Sequence, residues 1–138
     1  MTQQSEYAKP LPRPSELSRP FWDALKDGGL RLQRCGPCDR FVFYPRTLCP
    51  YCMGQELDWA PLSGRGKVYT YTVVRRAMIP AFQADAPYVF AIVELDEGPR
   101  VPTNIVNCAL EDVKVDMPVQ ATYDDVTAEI TLLKFEPA

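Results

Sequence analysis

Cys35-Gly36-Pro37-Cys38 and Cys49-Pro50-Tyr51-Cys52 form two C-x2-C pairs separated by ten residues. Two residues between thiols let a tight turn aim both sulfurs at one point, with backbone N–H groups directed at them. Two such turns complete a tetrahedron around a metal ion. Four thiolates at ~2.3 Å leave zinc no open coordination position. The chemistry expected of Cys35, Cys38, Cys49 and Cys52 is therefore structural: the ion holds a fold and activates nothing. Iron for electron transfer is the alternative ion for such a set. A thioredoxin-type redox site shares the string Cys-Gly-Pro-Cys, but it opens a helix in a βαβ unit. Here a strand-like run follows, and a second pair answers the first.

Zinc on four thiolates carries a local charge of about −2, and Arg31, Arg34, Arg40 and Arg46 lie close enough in sequence to offset it. Two disulfides would instead require an oxidising compartment. Met1 to Glu6 show no basic stretch followed by an apolar one, so no secretory leader is expected and the expected location is cytoplasmic. The fifth cysteine, Cys108, reads as a small core hydrophobe near a strand end.

Other chemistries are narrowed by what the chain lacks. It has no histidine, which excludes Ser-His-Asp and Cys-His triads, His-ligated catalytic zinc and imidazole acid–base work. Asp23, Asp27, Glu94, Asp96 and Glu97 supply carboxylates, but in turn and surface contexts, and no nucleophile is paired with a base. With 138 residues the chain has room for one ordinary core, or a small core plus a stapled minidomain. No apolar run approaches the ~20 residues that cross a bilayer. The net charge of −3 is unevenly spread: residues 1–76 hold 12 basic and 7 acidic side chains, and residues 77–138 hold 3 and 11. Nucleic-acid binding, the alternative function for a metal ribbon joined to a barrel, would favour a basic barrel and a pI above about 9; the pI here is about 5.0.

The elements that must position the cysteines follow from local pattern. Pro10, Pro12 and Pro14 make the first 17 residues an extended arm. A two-turn helix follows, capped by Ser18, with Pro20 in its first turn and Gly28 as its left-handed stop. Its Phe21, Trp22 and Leu25 form one apolar face that must cover a core or anchor in a partner. Alternation over 30–34 and a second run over 40–44 give two short strands joined by cysteine knuckles. Five further extended segments, at 67–77, 88–95, 101–107, 119–123 and 128–135, are rich in β-branched and aromatic residues and favour antiparallel pairing. In the first, Val68, Thr70, Thr72 and Val74 are expected on one face, with Tyr69, Tyr71 and Val73 on the other. A closed Greek-key barrel removes the two edges that five open strands would expose. Residues 108–117, between its third and fourth strands, have room for only a short helical turn where an OB-fold places its helix.

In this order the motifs resemble the zinc-ribbon OB-fold proteins, once catalogued as a domain of unknown function and described as acyl-CoA-associated. The carriers are Phe21-Trp22 with Gly28-Gly29-Leu30, the four cysteines, Pro45-Arg46, Gly64-x-Gly66-x-Val68-Tyr69, the strand at 88–95, and Met117-Pro118-Val119. Asp116 departs from the family's common glycine. The resemblance implies a mainly β chain in three parts: an arm and short docking helix at 1–29, a rubredoxin-like zinc ribbon at 30–58, and a five-stranded OB barrel at 59–138. It also implies a small scaffold partner to a thiolase-like enzyme acting on acyl-CoA thioesters; the absent histidine and closed metal site make the expected subunit non-catalytic, and the acidic barrel half and lack of a long apolar run leave no nucleic acid and no membrane expected. Within that reading Arg65, Lys67, Arg75 and Arg76 are candidates to pair with CoA phosphates, and Tyr69 and Tyr71 to stack on adenine.

Overall fold

The computed structural model describes residues 7–138; the first six residues of the expected arm lie outside the described ones. Helix α1 (Arg19–Lys26) ends as its sequence dictates. Gly28 adopts φ +79°, its amide donates to Leu25 O and the Gly29 amide donates to Ala24 O, both at 3.0 Å. These two bonds satisfy the last carbonyls of the helix. Its start differs from expectation. Ser18 occupies the cap position without capping, because its hydroxyl accepts from the Ser15 amide at 2.9 Å while its own amide donates to Ser15 Oγ at 3.1 Å. The chain is thus turned into the helix by a reciprocal serine pair one step earlier.

Three strands make the ribbon sheet: β1 (Leu30–Cys35), β2 (Phe41–Val42) and β3 (Leu57–Leu62), in the order β2-β1-β3 with both pairs antiparallel. The third strand has no alternating pattern and contains Pro61, which an edge strand tolerates. It nevertheless pairs with β1 along its whole length, from Leu30 with Leu62 to Cys35 with Leu57.

Five strands close the barrel in the order β4-β5-β6-β8-β7: β4 (Arg65–Val74), β5 (Tyr88–Leu95), β6 (Arg100–Ile105), β7 (Pro118–Asp125) and β8 (Thr131–Pro137). A one-turn helix α2 (Pro80–Gln83) interrupts the β4–β5 connection, and a 3₁₀ turn at Leu110–Asp112 sits between the third and fourth barrel strands. Asp116 takes φ +71°, so the aspartate adopts the left-handed conformation that a glycine would adopt without strain.

Two features of the barrel overturn expectation. The register between β4 and β5 slips between Val68 and Thr70, a bulge at Tyr69 that reverses the facing of everything after it. Val68 faces the core, but Tyr71 and Val73 then pair with the core residues Ala91 and Val89. Val68, Thr70, Thr72 and Val74 therefore do not share a face, and neither do Tyr69 and Tyr71. The second is the joint between β6 and β8, which is parallel and contains a single register pair, Ile105 with Phe135. Other groups complete it: the Val106 amide donates to Phe135 O at 2.8 Å, and Thr103 Oγ1 donates to Leu133 O at 3.0 Å. Beside them Glu136 accepts from Asn107 Nδ2 at 2.6 Å and Gln120 Nε2 at 3.1 Å.

Those two amides hold the Glu136 carboxyl below its ordinary pKa. A depressed folded-state pKa gives stability that is present above the unfolded value and lost as pH falls through the folded one. Glu136 followed by NMR is expected to titrate below an ordinary glutamate, and Gln120→Ala to move it back up.

The close approach of β4 to β5 depends on Gly66. A Cβ there would lie 2.4 Å from Glu94 O and 3.0 Å from Leu95 Cα, both backbone atoms of the paired strand. Gly66→Ala is expected to cost about 1–3 kcal/mol or more, since no side chain can move aside. Urea unfolding with an unchanged slope reads this directly.

One apolar core runs through the molecule. It joins Phe21 and Leu25 of α1 and Leu30 and Leu32 of β1 to Val68, Val93, Val101, Val119 and Phe135 of the barrel. The first half of β1 thus belongs to the barrel core, while its last residue, Cys35, belongs to a separate small cluster with Val42 and Cys49. The cysteine site is joined to the barrel through this shared strand and through Phe41, Phe43, Trp59 and Leu62, which pack against the same core.

Candidate metal centre

The two knuckles are built alike. In the first, the Cys35 amide donates to Arg40 O at 2.8 Å and the Asp39 amide donates back to Cys35 O at 2.8 Å. In the second, the Cys49 amide donates to Gly54 O and the Met53 amide to Cys49 O, both at 2.9 Å. Asp39 and Met53, each directly after the second cysteine of its pair, both take φ +65°. Such turns point amides at sulfur, as the Tyr51 amide does toward Cys49 Sγ at 3.4 Å.

None of the four cysteines is in a disulfide, and their sulfurs lie within 4.8 Å of one another. The Cys35–Cys52 and Cys38–Cys49 sulfur pairs stand 3.6 Å apart. A tetrahedron with metal–sulfur bonds of ~2.3 Å has edges of ~3.8 Å, so the arrangement fits one ion and is far from the ~2.05 Å of a disulfide. Cys35 and Cys49 are buried, Cys38 half-buried and Cys52 exposed.

Electrostatics separate the thiols. At Cys35 the Cys38 amide favours the thiolate, but burial and the crowded thiols of Cys52, Cys38 and Cys49 outweigh it and push the pKa up to about 12. At Cys49 burial opposes ionisation, yet the amides of Tyr51 and Cys52 and the thiols of Cys38 and Cys35 bring it down to about 7. A cation resolves this conflict by letting all the sulfurs be thiolates together.

Gln33 fastens the second knuckle to β1. This buried amide accepts from the Arg46 amide at 2.7 Å and donates to Arg46 O at 2.9 Å, across thirteen residues of chain. Of the four arginines expected to balance the thiolates, Arg34 pairs with Asp39 at 2.5 Å and Arg40 lies 4.7 Å over the Tyr51 ring, so both tie knuckle residues. Arg31 reaches Trp59 O at 3.3 Å, and Arg46 contributes its backbone.

The zinc-ribbon family described as "ChsH2, rubredoxin-like zinc ribbon domain" matches residues 22–58, and "ChsH2, C-terminal OB-fold domain" matches residues 59–124. A solved "Ltp2-ChsH2(DUF35) aldolase" superposes with a TM-score of 0.80 at 35% identity, over 92% of this chain and 98% of that one. The chain belongs to the DUF35 family. Among its relatives, a DUF35 domain-containing scaffold protein of Methanocaldococcus jannaschii is 46% identical over 65% of this chain and 64% of its own length. A probable enoyl-CoA hydratase alpha subunit of Thermomonospora curvata is 38% identical over 92% of this chain, which spans only 40% of that protein. The benzoylsuccinyl-CoA thiolase subunit BbsA of Thauera aromatica is 30% identical over 73% of this chain and 72% of its own length. The ribbon and OB barrel of this DUF35 chain are those of its family. The sheet of the ribbon continues through β3 to Leu62, past the point at residue 58 where the two family regions meet.

The DUF35 barrel does not gather the four basic candidates into one site. Arg65 and Lys67 open β4, whereas Arg75 and Arg76 follow its end, roughly 25 Å along an extended chain from Lys67. Lys67 stands between the carboxylates of Glu94 at 3.9 Å and Asp116 at 3.8 Å. Arg100 covers the Tyr69 ring at 3.9 Å, so the two tyrosines offer no common stacking surface. Cys108 packs against the barrel core, with burial first and then Asp112 and Glu111 raising its thiol pKa. No helix among the described residues is long and apolar enough to cross a membrane.

Proposed function

We propose that this chain is a non-catalytic accessory subunit of a thiolase-like enzyme acting on acyl-CoA thioesters, with one structural zinc held by Cys35, Cys38, Cys49 and Cys52. The observation that carries this reading is four sulfurs placed for one closed tetrahedral ion, on a ribbon whose first strand also enters the barrel core. Such an ion rigidifies the ribbon and offers no position for substrate. The relatives named as a scaffold protein and as a thiolase subunit, and the aldolase assembly, support the accessory role. Catalytic residues then belong to the partner, and this chain supplies shape. Arg75 and Arg76 contact CoA phosphates in this reading, whereas Lys67, at the far end of β4, stands between Glu94 and Asp116.

Isolation from a native extract tests it. The chain is expected to travel with a thiolase-like protein, or to join it in a CoA-dependent complex seen by analytical ultracentrifugation. A purified chain that turns over a thioester alone, or one that stays free in its extract and ignores CoA esters, overturns the reading.

A further inference from the structure

The four sulfurs that surround one ion differ in their access to solvent. Cys35 and Cys49 are buried and Cys38 half-buried, but Cys52 is exposed, between Tyr51 and Met53 at 55% and 66% exposure. A cysteine's susceptibility to oxidation follows its thiolate character and its exposure. Zinc keeps its ligands as thiolates, so Cys52 is a nucleophile that a dissolved oxidant can reach. Two cations of the first knuckle are engaged elsewhere: Arg34 is paired with Asp39, and Arg40 lies over the Tyr51 ring.

The exposed sulfur also has a resolving partner. Cys35 Sγ lies 3.6 Å from Cys52 Sγ, and Cys38 Sγ lies 3.6 Å from Cys49 Sγ. Both pairs join one knuckle to the other. A disulfide of ~2.05 Å would need each sulfur to move by less than about 1 Å. A bond within a knuckle would instead close across a turn already fixed by the Asp39 amide on Cys35 O or the Met53 amide on Cys49 O.

We propose that the Cys35–Cys52 edge is a hydroperoxide-sensitive modification site, at which oxidation joins the two knuckles and releases the ion. With hydrogen peroxide, the Cys52 thiolate attacks one oxygen, the O–O bond breaks, and Cys52 becomes a sulfenic acid as hydroxide leaves. The Cys35 thiolate then attacks the Cys52 sulfur; the S–S bond forms as the S–O bond breaks and a second hydroxide leaves. Two protons from solvent convert both hydroxides to water, so each disulfide formed reduces one peroxide. Losing two of four ligands frees the ion, and Cys38 and Cys49 repeat the step with a second peroxide. This rests on the reading of the four sulfurs as ligands of one zinc and adds the condition under which they give it up.

The test uses the full zinc-loaded chain carrying Cys108→Ser, which leaves only the four ligands to react. It is titrated with hydrogen peroxide while a chromogenic chelator reads free zinc. Trypsin cuts after Arg34, Arg40, Arg46 and Arg65, so Cys35 and Cys38 leave on one peptide and Cys49 and Cys52 on another. One zinc per chain is expected to be released for about two peroxides consumed. The two peptides should then be covalently joined, with fragmentation giving Cys35–Cys52 and Cys38–Cys49. Dithiothreitol with added zinc should restore the loaded chain, and limiting iodoacetamide should place its first label on Cys52. Circular dichroism confirms that the variant is folded, and the wild-type chain repeats the map. Separate peptides each closed on itself, zinc retained after the peroxide is consumed, or a first label on another ligand overturns the proposal. A folded chain that holds no zinc before peroxide is added sinks the ligand reading and the proposal with it; a loaded chain that fails the peptide map sinks the modification site alone.

Discussion

Stripping zinc from this protein is expected to unfold the two knuckles and leave the barrel standing. Away from the sulfurs the ribbon has little to hold it: the small cluster of Cys35, Val42 and Cys49, with Cys38 and Leu57 packed against it, and a two-residue β2. In small zinc domains the metal contributes about 10–16 kcal/mol, which is also the folding free energy. Of these residues only Phe41, on β2, packs against the barrel core. A strong chelator should therefore collapse the amide dispersion of residues 35–56 in NMR spectra while barrel amides keep their positions. Elemental analysis should give one zinc per chain, and Cys49→Ser should weaken zinc binding by more than about 100-fold. Knuckle amides that stay dispersed in metal-free protein would remove the ion from its structural role.

The readiness with which this site could be read from sequence has a physical basis. Each knuckle is local: five consecutive residues fix its turn, and the C-x2-C spacing encodes that turn directly. The helix stop at Gly28 is equally local. What escaped the pattern is set by distant chain segments. The strand Leu57–Leu62 lacks alternation because its pairing with β1 gives it order, and propensity contributes little. The bulge at Tyr69 is a matter of register against β5, and no property of Tyr69 itself marks it. Because one extra residue exchanges the two faces of a strand, reading alternation straight through 67–74 put Tyr71 on the wrong side. The tie between the arm and the residues beside α2 escaped for the same reason, since the Lys9–Asp85 bridge joins residues 76 apart in sequence.

The short helix is where a docking role and a folding role can be told apart. Sequence allowed Phe21 and Trp22 to anchor in a partner or to cap the chain's own core. The structure buries Phe21 to 3% exposure, with ring centroids of Trp22, Phe43 and Tyr44 at 5.0, 5.9 and 6.0 Å in edge-to-face arrangements. Trp22 is only half-buried and donates from Nε1 to Tyr44 Oη at 3.0 Å. Phe21→Ala leaves a cavity where helix, ribbon and barrel meet, and is expected to cost about 3–5 kcal/mol. For a chain of this length that lowers the melting temperature by roughly 10–15 °C in scanning calorimetry. Trp22→Phe removes one hydrogen bond and keeps most of the packing, a loss of about 1 kcal/mol. The two variants separate the roles in a partner-binding assay below both melting points. An internal keystone predicts that Phe21→Ala binds its partner normally once folded. Loss of partner binding with stability intact would instead put Phe21 at the interface and require α1 to leave the core on assembly.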